Sequence, residues 1–140
     1  MPPILFDTSV YIAALRVGDD ARVNLRRLSG GEPVWLSSVV LAELYAGVSV
    51  TSHKAVEKLE RDFERARRIV MPNLSDWARA GKVLALLAAK YDFEEIGKGC
   101  LTNDALIAMS AGRLGITVIT ANARDFGKLA EFGHFQWRLP

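Results

Sequence analysis

The chain has 140 residues, half of them hydrophobic, and 18 Lys and Arg against 16 Asp and Glu give a formal net charge of only +2. A chain of this length buries about two-thirds of its unfolded surface, so it needs no disulfide or structural metal to hold a core. The charge neither requires nor excludes a nucleic acid partner.

The single cysteine and the apolar runs indicate where the protein works. Cys100 has no partner for an internal disulfide, and a lone thiol is typical of a reducing cytoplasm. The start MPPILFDTS lacks a basic region and its apolar run stops at Asp7, unlike a signal peptide. The longest apolar run, Val83–Ala89, is too short to span a bilayer. We therefore expect one cytoplasmic domain over residues 1–140, with no membrane segment.

Strands and helices are predicted to alternate along the chain. Short apolar runs predict strands at Ile4–Phe6, Val34–Leu36, Arg68–Met71 and Thr117–Thr120, and an edge strand within His134–Leu139. Helical spacing predicts helices at Val10–Leu15, Ala21–Leu28, Val39–Val48, His53–Arg67, Asp76–Tyr91, Asp104–Leu114 and Phe126–Phe132. Irregular connections are predicted at Gly18–Asp20 and Asp92–Cys100. This alternation is typical of an α/β fold whose parallel sheet is covered on both faces.

Some predictions concern side chains away from any acidic motif. We expect Ser75 to cap the helix that begins at Asp76, because Ser accepts from orphan N–H groups. Trp77 and Leu114 fall on the apolar sides of their helices and are expected to face the core. His53 and His134 have no partner at a ligand spacing, so neither is expected to be catalytic.

Four acidic residues stand where strands end and helices begin. Asp7 follows the first strand, Glu43 lies in the first turns of the helix after the second strand, and Asp125 follows the Thr117–Thr120 strand. Asp104 opens the helix that turns tightly into that last strand. Helices that follow parallel strands begin at the carboxyl edge, and a helix that leads into a strand starts over the far end of it. All four acids are therefore predicted at one edge of the sheet.

Each acid alone has a structural explanation, as a helix cap for Asp7, Asp104 and Asp125 or as a paired buried residue for Glu43. Together they are costly, since two carboxylates about 5 Å apart repel by roughly 3 kcal/mol at an effective dielectric near 20. The total repulsion of the six pairs approaches roughly 20 kcal/mol, which exceeds the roughly 5–15 kcal/mol free energy of unfolding of a folded domain. Cations or protons must relieve this repulsion. Oxygen-only ligands favour Mg²⁺ or Mn²⁺ over zinc, and such sites hydrolyse phosphodiesters.

Four segments around these acids resemble the motifs of the PIN domain family: LFDTSVYI, SSVVLAELYAG, LTNDALIA and TANARDF. More narrowly, they resemble the small VapC-type toxins of prokaryotic toxin–antitoxin pairs, over the whole chain. The resemblance implies a Rossmann-like α/β/α sandwich with a short, mostly parallel central sheet, and a Mg²⁺- or Mn²⁺-dependent endoribonuclease. Its catalytic and metal-binding residues would be Asp7, Glu43, Asp104 and Asp125. The polar supports of these acids would be Thr8 or Ser9, Thr120 and Asn122.

The partners implied by the resemblance are a second copy of the chain, as a homodimer, and a cognate VapB-type antitoxin that silences the enzyme. The substrate is expected to be single-stranded or looped RNA, because a compact site cannot read the edges of a duplex. Candidate phosphate contacts are Arg16, Arg22, Arg26 and Arg124.

Other functions stay open at the level of sequence. A PIN nuclease of RNA maturation or decay would carry the same motifs as a toxin. A non-catalytic module that binds RNA or a protein partner is an alternative from another class, although four intact acids argue against it. A phosphatase with an aspartyl nucleophile is disfavoured, because Ser9 stands where its second Asp would be needed.

Overall fold

A computed structural model describes residues 2–16, 21–91 and 101–140, and for residues 21–24 it describes the backbone alone. The two irregular connections predicted at Gly18–Asp20 and Asp92–Cys100 lie outside the described residues, and so does Cys100.

The described strands form one five-stranded sheet in which every pair is parallel. The strands are β1 (Ile4–Phe6), β2 (Val34–Ser37), β3 (Ile69–Val70), β4 (Thr117–Ile119) and β5 (Trp137–Arg138). Their order across the sheet is β3-β2-β1-β4-β5. The predicted edge strand is confirmed as β5, and the sheet is entirely parallel where the sequence predicted a mostly parallel one.

Helices connect these strands and make the chain a mixed α/β fold, as predicted. They are α1 (Thr8–Arg16), α2 (Ala21–Ser29), α3 (Ser38–Gly47), α4 (His53–Ala66), α5 (Leu74–Lys90), α6 (Leu101–Leu114) and α7 (Ala123–Leu129), with a short 3₁₀ turn at Val50–Ser52. Among the described residues, no helix has both the length and the apolar character that crossing a membrane would require.

Two helices that carry predicted site residues begin earlier than predicted. α6 starts at Leu101, so Asp104 lies within its first turn and does not open it. α7 starts at Ala123 because the Asn122 side chain accepts the Asp125 N–H at 3.2 Å and caps the helix. Asp125 therefore lies in the first turn of α7 and not in a loop.

The cap of α5 corrects the prediction made for Ser75. Asn73 is the N-cap: its Oδ1 accepts the Asp76 N–H at 2.9 Å, and the Asp76 carboxylate accepts the Asn73 N–H at 2.9 Å. Ser75 lies one residue inside the helix and is exposed. An acceptor followed three residues later by an acid satisfies two orphan donors at once, so this box is preferred over a single serine cap.

The core lies on both sides of the central strands. Ile4, Leu5 and Phe6 of β1 are almost completely buried, as expected for a strand covered on both faces. The prediction that Trp77 and Leu114 face this core is wrong, since they are 55% and 45% exposed. On α5 the buried positions start at Asp76 and recur at intervals of three and four residues, which puts Trp77 at the flank of the buried face, about a quarter of a turn away from it.

The sheet topology brings the ends of β1 and β4 together. From β1 the chain builds outward through β2 to β3, then returns to the other side of β1 to form β4 and β5. Phe6 is in register with Ile119, so the next residues, Asp7 and Thr120, lie side by side. This is the point where the strand order reverses, and open α/β sheets bind ligands in the crevice at that point.

Candidate active site

Asp7 is held at the carboxyl end of β1 by two hydroxyl groups. Its backbone N–H donates to the Ile119 carbonyl at 2.8 Å and continues the β1–β4 ladder by one residue. Thr120 Oγ1 and Ser9 Oγ both donate to Asp7 Oδ2, at 2.9 and 3.1 Å. Asp7 is 5% exposed, so these donors replace most of the water that a carboxylate would otherwise keep. Its carboxylate orientation is therefore set by the two strands that flank the crevice.

Glu43 reaches the same edge from the second turn of α3. That helix starts directly after β2, where Ser37 Oγ accepts the Val39 N–H at 3.2 Å. Thr8 Oγ1, on the first residue of α1, donates to Glu43 Oε1 at 2.8 Å. The paired-residue explanation of Glu43 is thus partly correct, although its partner is a neutral hydroxyl that leaves the negative charge in place.

Asp125 is anchored by the cap of α7. Asn122 Nδ2 donates to Asp125 Oδ2 at 2.9 Å, so the amide binds both the backbone and the side chain of Asp125. Thr120 Oγ1 accepts the Asn122 N–H at 2.9 Å while it donates to Asp7. A single fully buried hydroxyl therefore links Asp7 to Asn122, the N-cap of the helix that carries Asp125.

Asp104 shows that the four acids share one electrostatic environment. Burial is the largest cause that raises the pKa of Asp104, and the negative charges of Asp7, Glu43 and Asp125 raise it further, to about 8. The pKa of a carboxyl group rises this far when the group loses water and faces like charges with no cation near it. The three other acids therefore lie close enough to Asp104 to raise its pKa, which agrees with the convergence predicted from strand and helix polarity.

The candidate phosphate contacts are spread more widely. Arg124 is exposed next to Asp125 on α7, and Arg16 is exposed in the last turn of α1. Arg26 lines a cavity between α2 and α4 whose lining includes none of the four acids. The side chain of Arg22 lies outside the described residues.

The donor set at this edge suits a hard divalent cation. It consists of carboxylate and hydroxyl oxygens, and the His residues described, His53 and His134, are not hydrogen-bonded to any of the four acids. Oxygen donors with surplus negative charge are what Mg²⁺ and Mn²⁺ require. Within the described ranges, no group of three or more Asp, Glu, His or Cys side chains is arranged so that it could already hold one ion. The residues at this edge therefore fit the chemistry of a hard divalent cation.

Sequence reasoning missed one backbone group and one ion pair. The Ala121 N–H donates to Ser9 Oγ at 3.4 Å, and no side-chain pattern could predict a backbone donor of this kind. The buried Asp76 pairs with Arg113, which lies at the far end of the helix that carries Asp104. The spacing Asn73-x-x-Asp76 was a readable sign of the capping box, but not of the arginine 37 residues away.

The fold and the motifs around the acids together define the class of protein. A family model of the PIN domain matches residues 4–132. The chain belongs to the PIN domain family. No curated protein matches the sequence.

Solved structures similar to this chain include chains of VapBC and FitAB complexes. A chain of the DNA-bound VapBC complex from Salmonella typhimurium superposes with a TM-score of 0.69 and 22% identity, covering 99% of this chain and 98% of that one. For VapBC2 from Rickettsia felis, bound to a promoter DNA fragment, the TM-score is 0.66 at 23% identity, with 99% and 98% covered. For FitAB bound to the IR36 DNA fragment it is 0.69 at 23% identity, with 98% and 94% covered. At these identities the likeness concerns the fold.

Proposed function

We propose that this protein is a metal-dependent endoribonuclease and the toxin of a VapBC-type toxin–antitoxin pair. The assignment of nuclease activity rests mainly on the raised pKa of Asp104, which is caused by burial and by the charges of Asp7, Glu43 and Asp125. Ionising all four acids at this edge costs stability; protonation of Asp104 relieves that cost below about pH 8, and binding of a divalent cation would offset it in place of the proton. The family match and the toxin complexes among the structural neighbours support the same assignment.

In this proposal Asp7, Asp104 and Asp125 would hold Mg²⁺ or Mn²⁺, and Glu43 would act as a further ligand or as the base toward the attacking water. The metal supplies Lewis-acid stabilisation of charge on a phosphodiester and lowers the pKa of water. Thr120 and Ser9 orient the Asp7 carboxylate, Thr8 orients Glu43, and Asn122 orients Asp125. Because three carboxylates are fixed by hydroxyl or amide donors, little ordering is required when substrate arrives.

The substrate in this proposal is single-stranded or looped RNA. The acids lie in a crevice at the edge of the sheet, which admits an extended backbone more readily than a duplex. Arg124 and Arg16, both exposed, would contact flanking phosphates. Arg22 and Arg26 remain candidates for contacts farther along the RNA.

The nuclease is tested by incubating a labelled RNA pool with the purified protein in Mg²⁺, Mn²⁺ or EDTA. Wild-type protein should cut only with metal, and Asp7→Asn or Glu43→Gln should lower the rate by more than about 100-fold, since even outer contacts of a metal site are typically worth 10- to 100-fold. Glu64→Gln is the matched control, because Glu64 is exposed on α4 and away from the crevice. Folded wild-type protein that cuts in no metal would favour the non-catalytic binding module.

The antitoxin partner is proposed from the neighbours, which are VapBC and FitAB complexes. A cavity of about 330 Å³ between α1, α2 and α4 supports it, since apolar side chains that include Leu25, Leu59 and Phe63 line the cavity. It could accept an apolar anchor from a partner segment. A small reading frame beside the gene should therefore encode a protein that co-purifies with this chain and suppresses cleavage. Absence of any such inhibitory complex would favour an RNA-processing nuclease.

A further inference from the structure

A small apolar cavity adjoins the acidic crevice along α1. Its volume is about 230 Å³, and the residues that line it are Ser9, Val10, Ala13, Ala14, Leu28, Ala121 and Pro140. Two of these residues also belong to the acidic site: Ser9 Oγ donates to Asp7 and accepts the Ala121 N–H. A group seated in the cavity is thus separated from the Asp7 carboxylate by one serine side chain.

The lining selects the chemistry of the group that it can hold. Among the side chains that the structure describes, those that line the cavity are uncharged, so a phosphate would find no charged side chain in this part of the lining. The volume lies below the roughly 300–1,000 Å³ of pockets for drug-sized ligands, and the walls on the α1 side are methyl groups. A flat, uncharged heterocycle fits such a surface, with the Ser9 hydroxyl as a polar contact at one end.

We propose that this cavity seats the nucleobase next to the scissile phosphate and so contributes to cleavage specificity. The proposal rests on the nuclease function above, because the acids then fix the position of the phosphate. Ser9, Ala13 and Arg16 follow one another at intervals of four and three residues, so they share one face of α1. RNA that leaves the acids along this face meets the cavity first and then the exposed Arg16, which would contact the next phosphate. A base in this position must be unstacked, which requires single-stranded RNA.

The test combines a variant of the protein whose larger side chain fills the cavity with an RNA substrate that lacks the base next to the cut. Ala13→Leu adds bulk at an exposed position of α1 and keeps a good helix former, so the fold should be retained. Ala55→Leu makes the same change at an exposed position of α4 as a control. Each protein is assayed on an RNA that wild type cuts at one position, with either an intact nucleotide or an abasic site next to the cut.

The expected result is non-additive. With intact RNA, Ala13→Leu should lower kcat/KM by about tenfold, as expected for the loss of one base contact, and Ala55→Leu should not. Replacing the intact nucleotide by the abasic site should lower kcat/KM of the wild type by a similar factor. The same replacement should lower kcat/KM of Ala13→Leu only slightly, because this variant has already lost the base contact. In a pool of random RNA, the base preference beside the cut should be weaker for Ala13→Leu.

Other outcomes separate this proposal from the nuclease function itself. Wild-type protein that cuts no RNA overturns both. Wild-type cleavage that Ala13→Leu leaves unchanged, in rate and in base preference, overturns the nucleobase site alone. If Ala13→Leu changes only inhibition by the antitoxin, the cavity binds a protein side chain and the proposal is also wrong.

Discussion

At the scale of single residues, the acidic edge is built from carboxylates whose orientation depends on neutral donors. Thr8, Ser9 and Thr120 supply three hydroxyls, and Asn122 supplies an amide. Neutral donors orient a carboxylate without cancelling its charge, so the negative potential persists. The pKa of Asp104 is raised because its carboxyl group is buried and because the negative charges of the three other acids act on it.

The pKa of Asp104 makes stability dependent on pH. The pKa is about 8 in the folded protein against 3.8 for an ordinary aspartate side chain, so the folded state binds more protons than the unfolded state between these pH values. The stability contributed by the protonated carboxyl is present at low pH and is lost as the pH rises toward 8. Asp104→Asn should remove this loss and be more stable than wild type at pH 8.5 without metal, by roughly 2 to 4 kcal/mol.

Urea unfolding from pH 5 to pH 9, in EDTA, measures this effect. The two proteins should differ little at pH 5 and diverge as the pH rises, while the exposed Glu64→Gln variant should follow wild type. Added Mn²⁺ should stabilise wild type at pH 8.5 more than Asp104→Asn. Parallel pH profiles for wild type and Asp104→Asn would show that the acids do not share one environment.

At the scale of elements, α6 is fixed at the end opposite Asp104 by an ion pair between the buried Asp76 carboxylate and the exposed Arg113. Arg113 Nε lies 3.1 and 3.0 Å from the two carboxylate oxygens of Asp76, and its Nη2 donates to the Met71 carbonyl at 3.3 Å. Asp76 is fully buried and also belongs to the capping box of α5. The pair therefore joins the start of α5 to the end of α6.

Breaking this pair should be costly because it leaves a buried carboxylate without its cation. Arg113→Met keeps most of the side-chain volume and should lower the free energy of unfolding by about 1–3 kcal/mol, because Arg113 is itself exposed and water can partly replace it at the carboxylate. Arg65→Met, at an exposed position of α4, is the matched control and should change stability by less than about 0.5 kcal/mol. Denaturant unfolding at pH 7 measures both, and similar losses for the two variants would contradict the role given to the pair.

At the scale of the whole molecule, α5 presents an apolar stripe to solvent. Its members are spaced three, four and seven residues apart and are all exposed: Leu74, Trp77, Ala78, Gly81 and Ala85. Leu74 and Trp77 are large side chains with 85% and 55% exposure. An exposed apolar stripe of this kind suits the predicted homodimer, in which α5 would pack against its symmetry mate.

Sedimentation velocity tests the dimer. Wild type should sediment as a dimer at micromolar concentration, and Trp77→Glu should sediment as a monomer because the charge would replace the largest apolar side chain of the stripe and would be desolvated in the interface. Val50→Glu is the control, at a position 81% exposed in the 3₁₀ turn. A monomeric wild type, or a dimer that tolerates Trp77→Glu, would contradict this arrangement.

The sequence by itself determined the order of the elements and the edge at which Asp7, Glu43, Asp104 and Asp125 lie. Both follow from local composition and from chain direction, because a buried strand needs an apolar run and a helix after a parallel strand starts at its carboxyl end. Helix starts were less predictable, since Asn73 and Asn122 compete with neighbouring residues for the same N–H groups.

Only the tertiary structure decided which donor binds which acid and which face of α5 is buried. Thr8 meets Glu43 across 35 residues, and Thr120 meets Asp7 across 113. Such pairings depend on strand register and helix packing, which no local pattern contains. The same holds for the pKa of Asp104, because it sums burial and charges from distant segments, and for Trp77, whose exposure depends on what α5 packs against.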